Sequence, residues 1–356
     1  DATGRYLYVV GRFTHAFDGA SGSRPRKGFA VFDLVTNRLL PHQLDLLGPG
    51  YSGEPLVIER WGNRLYIGGV LDTGTRPTSG LAIAVDAYTG VVDRSFAPRP
   101  NFAVNAITIN SAAGGRIVGS STVPNEVVLG GDFTRLGTAS ASRLALVNGH
   151  SGAQVAPLPP VDDRVSALEY VNNVVYLGGS FGRIGTEGRA YSAAIYLPTR
   201  SVVAWSADTD DSVSDLAFNQ STGVEVLVGG FQSQIGRRTP SPQPSMGAVD
   251  FLQGFSLRRF VLSPPAPSVV FDIEAAANQF VAAGNFSSAI STQSNVAAFD
   301  ATTGVRQRWA PNVNGAATTA TYSARLRKLV VGGAQTGNFT SAGYRSVSGL
   351  AVFSDR

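Results

Sequence analysis

Arginine recurs along this chain in clusters that alternate with acidic and amide residues. Arg24, Arg26 and Lys27 come first, followed by Arg76, Arg135, Arg183 with Arg189, Arg237 with Arg238, and Arg345. Between them fall Asn101, Asp162 with Asp163, Asp208 with Asp210 and Asp211, and Asn312 with Asn314. Guanidinium forks on one surface can read carboxylate, phosphate or sugar hydroxyl groups. The plainer chemistry is Asx side chains bonded to turn backbone, with Arg–Asp pairs worth about 0–1 kcal/mol each on a wet surface. Asp208, Asp210 and Asp211 in DTDDSVSD could offer oxygens to Ca²⁺, although the run lacks the glycine and ordered spacing of a dedicated loop.

Other chemistries find less support. With no Cys, disulfides, thiolate metal sites and Cys nucleophiles are excluded. His15, His42 and His150 fall in a b–c loop, on a d strand and in a c–d turn of the repeat described below, so they do not converge on a metal. NGHSG from Asn148 has the wrong glycine spacing for a nucleophile elbow and reads as a turn. No phosphate-binding G-x-x-x-x-G-K-[ST] stretch is present. The expectation is no catalytic residues, no metal site and no cofactor, Ca²⁺ at the aspartate cluster being the one exception entertained.

The elements that must position these residues come from a repeat. Apolar runs ending in glycine close on Gly11, Gly69, Gly131, Gly179, Gly230, Gly284 and Gly333, spaced by 58, 62, 48, 51, 54 and 49 residues. Each copy offers up to four strands. Strand a often alternates, as in RVSALEY from Arg164; b is the glycine-ended run; c follows a variable loop; d follows a tight turn such as AYTG or ATTG. The b runs are apolar on both alternations, as strands covered on two faces should be. Four short antiparallel strands repeated in this way predict an all-β chain, a seven-bladed β-propeller of four-stranded blades occupying residues 1–356 as a single domain. The count gives seven b and c strands but six a and six d, so six complete blades plus an incomplete one is the alternative. The glycine pair closing strand b reads as packing where backbones meet. Phe96, Trp205 and Trp309 read as fillers between blades.

In a four-stranded blade the b–c and d–a loops emerge at one end, so the arginines and the Asx residues should share a face. Variable loops on a rigid scaffold favour binding. The a–b side has one long connection, Asn110 to Asn125.

Composition bounds the partners. The 356 residues include 41 Gly and 19 Pro, are 43% hydrophobic and carry a net charge of +4. Of the 29 basic residues only Lys27 and Lys328 are lysine, a bias that reads as genome composition, so nucleic acid is not an expected partner. No apolar run approaches the ~20 residues of a membrane span. The chain begins at Asp1 and holds one Met, Met246, which suggests a processed product.

The motifs resemble a known repeat. Gly130, Gly131, Phe133, Leu136 and Gly137 in GGDFTRLG, then Gly178, Gly179, Phe181, Ile184 and Gly185 in GGSFGRIG, together with Gly90, Asp93 and Phe96 and the run FDATTGVRQRWAP from Phe299, are similar to the delta-60 repeat β-propellers of bacterial surface and secreted proteins. Copies one, two and seven depart from that pattern at Gly11, at Val70 and Leu71, and at Ala334 and Gln335. The resemblance implies an extracellular or cell-surface repeat module and transfers no catalytic residue. The expected function is non-catalytic: binding of a protein or glycan partner, or a structural role among the subunits of an extracellular assembly. A propeller enzyme acting on a polysaccharide or small polar substrate at the long-loop face is the alternative, which two carboxylates ~5–10 Å apart in a cleft would favour.

Overall fold

The computed structural model describes residues 4–18, 22–42, 44–46, 52–72, 79–118, 121–236, 241–242, 245–259, 269–276, 278–286, 295–308, 311, 313, 315–333, 338–339 and 347–354. Among these, all regular structure is strand apart from one 3₁₀ turn, Ser111–Ala113. Among the described residues no helix is long and apolar enough to cross a membrane.

Seven antiparallel sheets of three or four strands follow one another along the chain. The first is Tyr6–Val10, Phe29–Asp33 and Arg38–Leu39, which are strands b, c and d. The second is Ser52–Trp61, Arg64–Asp72, Ser79–Asp86 and Val92–Asp93; the third is Val104–Ile109, Glu126–Gly131, Leu144–Asn148 and Gln154–Ala156. The fourth holds Val165–Val171, Val174–Gly179, Ser192–Tyr196 and Ser201–Val202; the fifth Val213–Asn219, Glu225–Gly230, Met246–Asp250 and Ser256–Arg259. The sixth (Val269–Ala276, Gln279–Asn285, Val296–Asp300) and seventh (Ala317–Ser323, Lys328–Gly333, Leu350–Ser354) have strands a, b and c. Among the described residues three of the seven sheets have three strands: the first lacks a and the seventh lacks d, as the count of six a and six d strands implies, and the sixth departs from that count, its outer strand shrinking to the single bridge Phe299↔Arg306. By contacts the chain forms two compact units, one of Asp1–Val175, Arg183–Thr186 and Tyr196–Ser201, the other of Tyr176–Gly182, Glu187–Ile195 and Val202–Arg356.

The two glycines ending strand b have different causes. Strand a carries a bulge at the same place in sheets two, three, five, six and seven, the register slipping at Pro55/Val57, Val104/Ala106, Val213/Asp215, Val270/Asp272 and Ala317/Thr319. The bulge swings a carbonyl of strand a over the second glycine. A Cβ on Gly131 would lie 2.1 Å from the Ala103 oxygen, and one on Gly284 2.0 Å from that of Val269. The first glycine instead meets the following sheet: a Cβ on Gly130 would lie 2.7 Å from Val165 Cγ1, and one on Gly229 2.7 Å from Val270 Cγ1. Without those methylenes neighbouring sheets close at core density.

Aromatic residues fill the gaps as expected. Tyr66 and Phe96 meet edge to face at 5.0 Å, and the Tyr66 hydroxyl donates to the Gly149 carbonyl at 2.7 Å. Tyr176 and Trp205 repeat the arrangement at 4.8 Å, with Trp205 Nε1 donating to the Asp250 carbonyl and the Tyr176 hydroxyl to that of Phe251. Burial pushes the Tyr176 phenol up to about 12. Trp309 lies outside the described residues.

Candidate functional site

The d–a segments do not merely lie beside the b–c loops; they hold them. Asn101 Oδ1 accepts the backbone N–H groups of Thr134 and Arg135 at 2.8 and 3.0 Å, and the Asn101 amide donates to the Arg135 carbonyl. Asp162 repeats this with Arg183, whose N–H reaches Oδ1 at 3.0 Å while the Asp162 amide donates to the Arg183 carbonyl. Asp210 Oδ1 accepts from Ser233 and Gln234 at 2.8 and 2.9 Å, and its Oδ2 takes the Ser233 hydroxyl. In all three, the N–H of a glycine beyond strand b (Gly137, Gly185, Gly236) is bonded to a carbonyl of the d–a segment (Arg99, Pro160, Ala207). The pinned segments are short: Arg135–Leu136 with Ala139–Ser140, Arg183–Ile184, and Gln234–Ile235 with Ser241–Pro242. Asn101, Asp162 and Asp210 are thus backbone caps, the plainer of the two readings. Partial burial pushes the Asp210 carboxyl up, but the Ser233 hydroxyl and the N–H groups of Gln234 and Ser233 outweigh it and hold it below the usual range.

The remaining acids are also engaged locally. Asp163 accepts from the Arg164 amide, Asp211 from the amide and hydroxyl of Ser212, and Asp208 from the Ser206 hydroxyl at 2.6 Å. Among the described residues, no three His, Asp or Glu side chains gather as metal ligands. The aspartates considered for Ca²⁺ therefore bond to separate protein donors.

The arginines divide. Arg24 and Arg135 are exposed on their hairpins. Arg189 is a tie, Nη1 donating to the Gly188 carbonyl at 2.9 Å and lying 3.5 Å from Glu187, with Nη2 donating to Val203. Arg26 is buried and donates to the carbonyls of Pro25 and Leu40. Arg76, Arg237, Arg238, Arg345, Asn312 and Asn314 lie outside the described residues.

Within the first unit, Asp162 and Arg183 border a groove of about 390 Å³ completed by Thr134, Ser142, Arg143, Pro160, Val161 and Gly185. Arg143 was not singled out from the sequence. It stands at the entry to strand c with φ +65°, the left-handed region, where other copies place Gly28, Ser245, Asn295 and Gly349. An arginine there carries a backbone cost on the order of 1 kcal/mol. Its Nη1 donates to the Asp132 carbonyl, and Arg183 Nη2 donates to the Thr186 carbonyl at 3.2 Å. Beside the groove, Arg164 Nε donates to Asp132 Oδ1 at 2.8 Å, a bond that raises the guanidinium further above its ordinary range.

Two other clusters were tested for catalysis. At the c–d end, Ser95 donates to Asp93 at 2.6 Å and lies 3.3 Å from His150 Nδ1. The acid engages the serine rather than orienting the histidine, so this is not a triad. The loop containing His150 is an Asx turn, with Asn148 Oδ1 accepting from the amides of His150 and Ser151. In the second unit, Asp272 and Glu274 lie two residues apart on strand a of the sixth sheet, about 7 Å along the strand. Asp272 Oδ2 accepts the Ala320 amide at 2.7 Å and the Thr319 hydroxyl at 3.3 Å, while Glu274 Oε1 accepts the Thr321 hydroxyl at 3.2 Å. Burial pushes the two carboxyls up to about 6 and about 7.

The repeated sheets with their bulged first strands define a β-propeller. The chain is similar to the crystal structure of RRP9 WD40 repeats, with a TM-score of 0.62 and 13% identity over 98% of this chain and 97% of that one. The structure of U3-55K gives 0.61 and 12% over 98% of each, and the computationally designed Ika8 protein 0.51 and 15% over 96% of each. At such identities the likeness is one of fold. No family model and no curated protein matches the sequence.

Proposed function

We propose that this chain is a non-catalytic β-propeller that binds a protein partner through its b–c hairpins. The observation that carries the reading is the threefold recurrence of a d–a segment pinning the backbone beyond strand b while Arg135, Arg183 and Gln234 remain exposed. The opposite strand ends are, by contrast, closed by tight Asx turns, as at Asp86, Asp250 and Asp300. A backbone already pinned loses little further entropy on binding, which favours recognition. The likeness to WD40-repeat propellers supports an interaction scaffold, and the delta-60 resemblance supports an extracellular or cell-surface setting within a larger assembly.

A photocrosslinking residue at Arg135, compared with one at the exposed Tyr88 of a c–d turn, tests this in a native extract. A protein adduct formed from position 135 and not from 88 is expected; equal yields, or none from 135, would overturn it. The polysaccharide-enzyme reading rests on the Asp272–Glu274 spacing alone. Release of reducing sugar by the wild type and its loss in Glu274→Gln would establish that reading instead.

A further inference from the structure

The groove between the third and fourth repeats has features that a capped, solvated loop does not require. Arg143 and Arg183, from different repeats, line it, and among the described residues the guanidinium of each gives one hydrogen bond to protein. Their other N–H groups are left for a ligand. Thr134 and Ser142 add hydroxyls to the same wall. The single acid, Asp162, has Oδ1 committed to the Arg183 amide. Arg143 holds its place at the left-handed entry of strand c, where glycine, serine, asparagine or tyrosine serves in other copies.

We propose that this groove is a carboxylate-reading subsite that takes an Asp or Glu side chain of a protein partner. The proposal rests on the reading of the chain as a protein-binding propeller and names the chemistry of its contact. Paired guanidinium forks match a carboxylate in charge and geometry. Pro160 and Val161 supply apolar wall for the methylene stem of the acid. The negative charge of Asp162 disfavours a dianion such as phosphate. No aromatic ring lines the groove, so it lacks the flat apolar platform on which a pyranose stacks.

The test is a fluorescence-anisotropy titration of the full chain with a labelled decapeptide of alternating Glu and Gly, its Gln counterpart and trigalacturonate. The Glu peptide should bind, the Gln peptide should not, and raising salt from about 50 to about 300 mM should weaken binding. Arg143→Gln and Arg183→Gln should each lower affinity by about tenfold or more, with unchanged melting temperature, while Arg116→Gln on the a–b side should leave it within about twofold. Equal binding of Glu and Gln peptides, wild-type affinity in both groove variants, or tighter binding of trigalacturonate would overturn the proposal. If the adduct from position 135 persists in the Arg143→Gln/Arg183→Gln double variant, the subsite fails while the binding function stands. If the wild type forms no adduct, both fail.

Discussion

Asp272 and Glu274 make the stability of the second unit fall as pH rises. Burial first, and for Glu274 the neighbouring Asp272 charge second, moves the carboxyls from their ordinary 3.8 and 4.5 to about 6 and about 7. A group whose folded pKa is raised contributes stability that is fully present below its unfolded value and is lost as pH climbs through its folded value. The window is therefore about pH 4 to 7.5. At about 1.4 kcal/mol per pH unit, ionisation in the folded state costs about 3 kcal/mol for either group alone. The two titrate as a pair and both keep some solvent contact, so we take a joint loss of about 3 kcal/mol rather than the sum. The depressed carboxyls Asp33, Asp93 and Asp210 act oppositely, their stability being lost only as pH falls below about 4. Glu274→Gln keeps an oxygen for the Thr321 hydroxyl and removes one ionisation. Urea midpoints followed by tryptophan fluorescence at pH 5, 6, 7 and 8 should show both proteins weakening, because Asp272 still ionises in the variant, with the variant losing about half as much and standing about 1.5 kcal/mol ahead of the wild type at pH 8. Parallel curves across that window would refute the reasoning.

Three further outcomes follow from the packing. Gly131→Ala places a methyl 2.1 Å from the Ala103 carbonyl and should cost about 3 kcal/mol or more, whereas Gly137→Ala, open but at φ +56°, should cost about 1 kcal/mol; denaturant midpoints compare them directly. Asp93→Ala strands the buried Arg64 guanidinium, whose Nε and Nη2 already lack partners, and should cost about 3 kcal/mol, largely recovered in the Arg64→Met/Asp93→Leu double variant. Gln232 is buried where Phe133, Phe181 and Phe286 stand in other sheets, with Oε1 unpaired, so Gln232→Leu should raise the melting temperature by a few degrees, and a lower one would contradict the slot assignment.

Much of the scaffold is legible in the sequence because each sheet imposes the same steric demand on its neighbours. The glycine pair is read correctly as close approach, and Phe96 and Trp205 as fillers. The bulge is not recognised, yet it leaves a signature: the inward residues of strand a are Val104 and Ile107, Val213 and Leu216, Val270 and Ile273, three apart where alternation requires two. A reading that sees only alternation in SVSDLAF from Ser212 misses the extra residue at Val213/Asp215 that lifts a carbonyl over the second glycine. The Asx residues before strand a are placed at the correct strand ends, and the plainer of their two readings, bonding to backbone, is what Asn101, Asp162 and Asp210 do; the ligand reading stands beside it because a carboxylate that caps a backbone and one that meets a ligand look alike until the distance to an N–H is known.

Arg143 is missed for a deeper reason. A repeat makes its structural residues conspicuous by recurrence, so attention falls on what every copy shares, such as Gly-Gly, Phe and the Asx turn. A recognition residue has no cause to recur. It shows itself as a departure, but only once register assigns it a position: Arg143 and Tyr191 stand at the left-handed entry to strand c where Gly28 and Gly349 carry no side chain and Asn295 bonds Phe286 and Val313, and Gln232 stands in a phenylalanine slot. Departures that lower stability without a local gain are where function should be sought. By that criterion Arg143, strained, cationic and lining a groove, points to a ligand, whereas Gln232, buried with an unpaired oxygen, points to a correctable packing fault. The two substitutions proposed at these positions therefore separate the cases: one should leave stability alone and weaken binding, and the other should raise stability and leave binding alone.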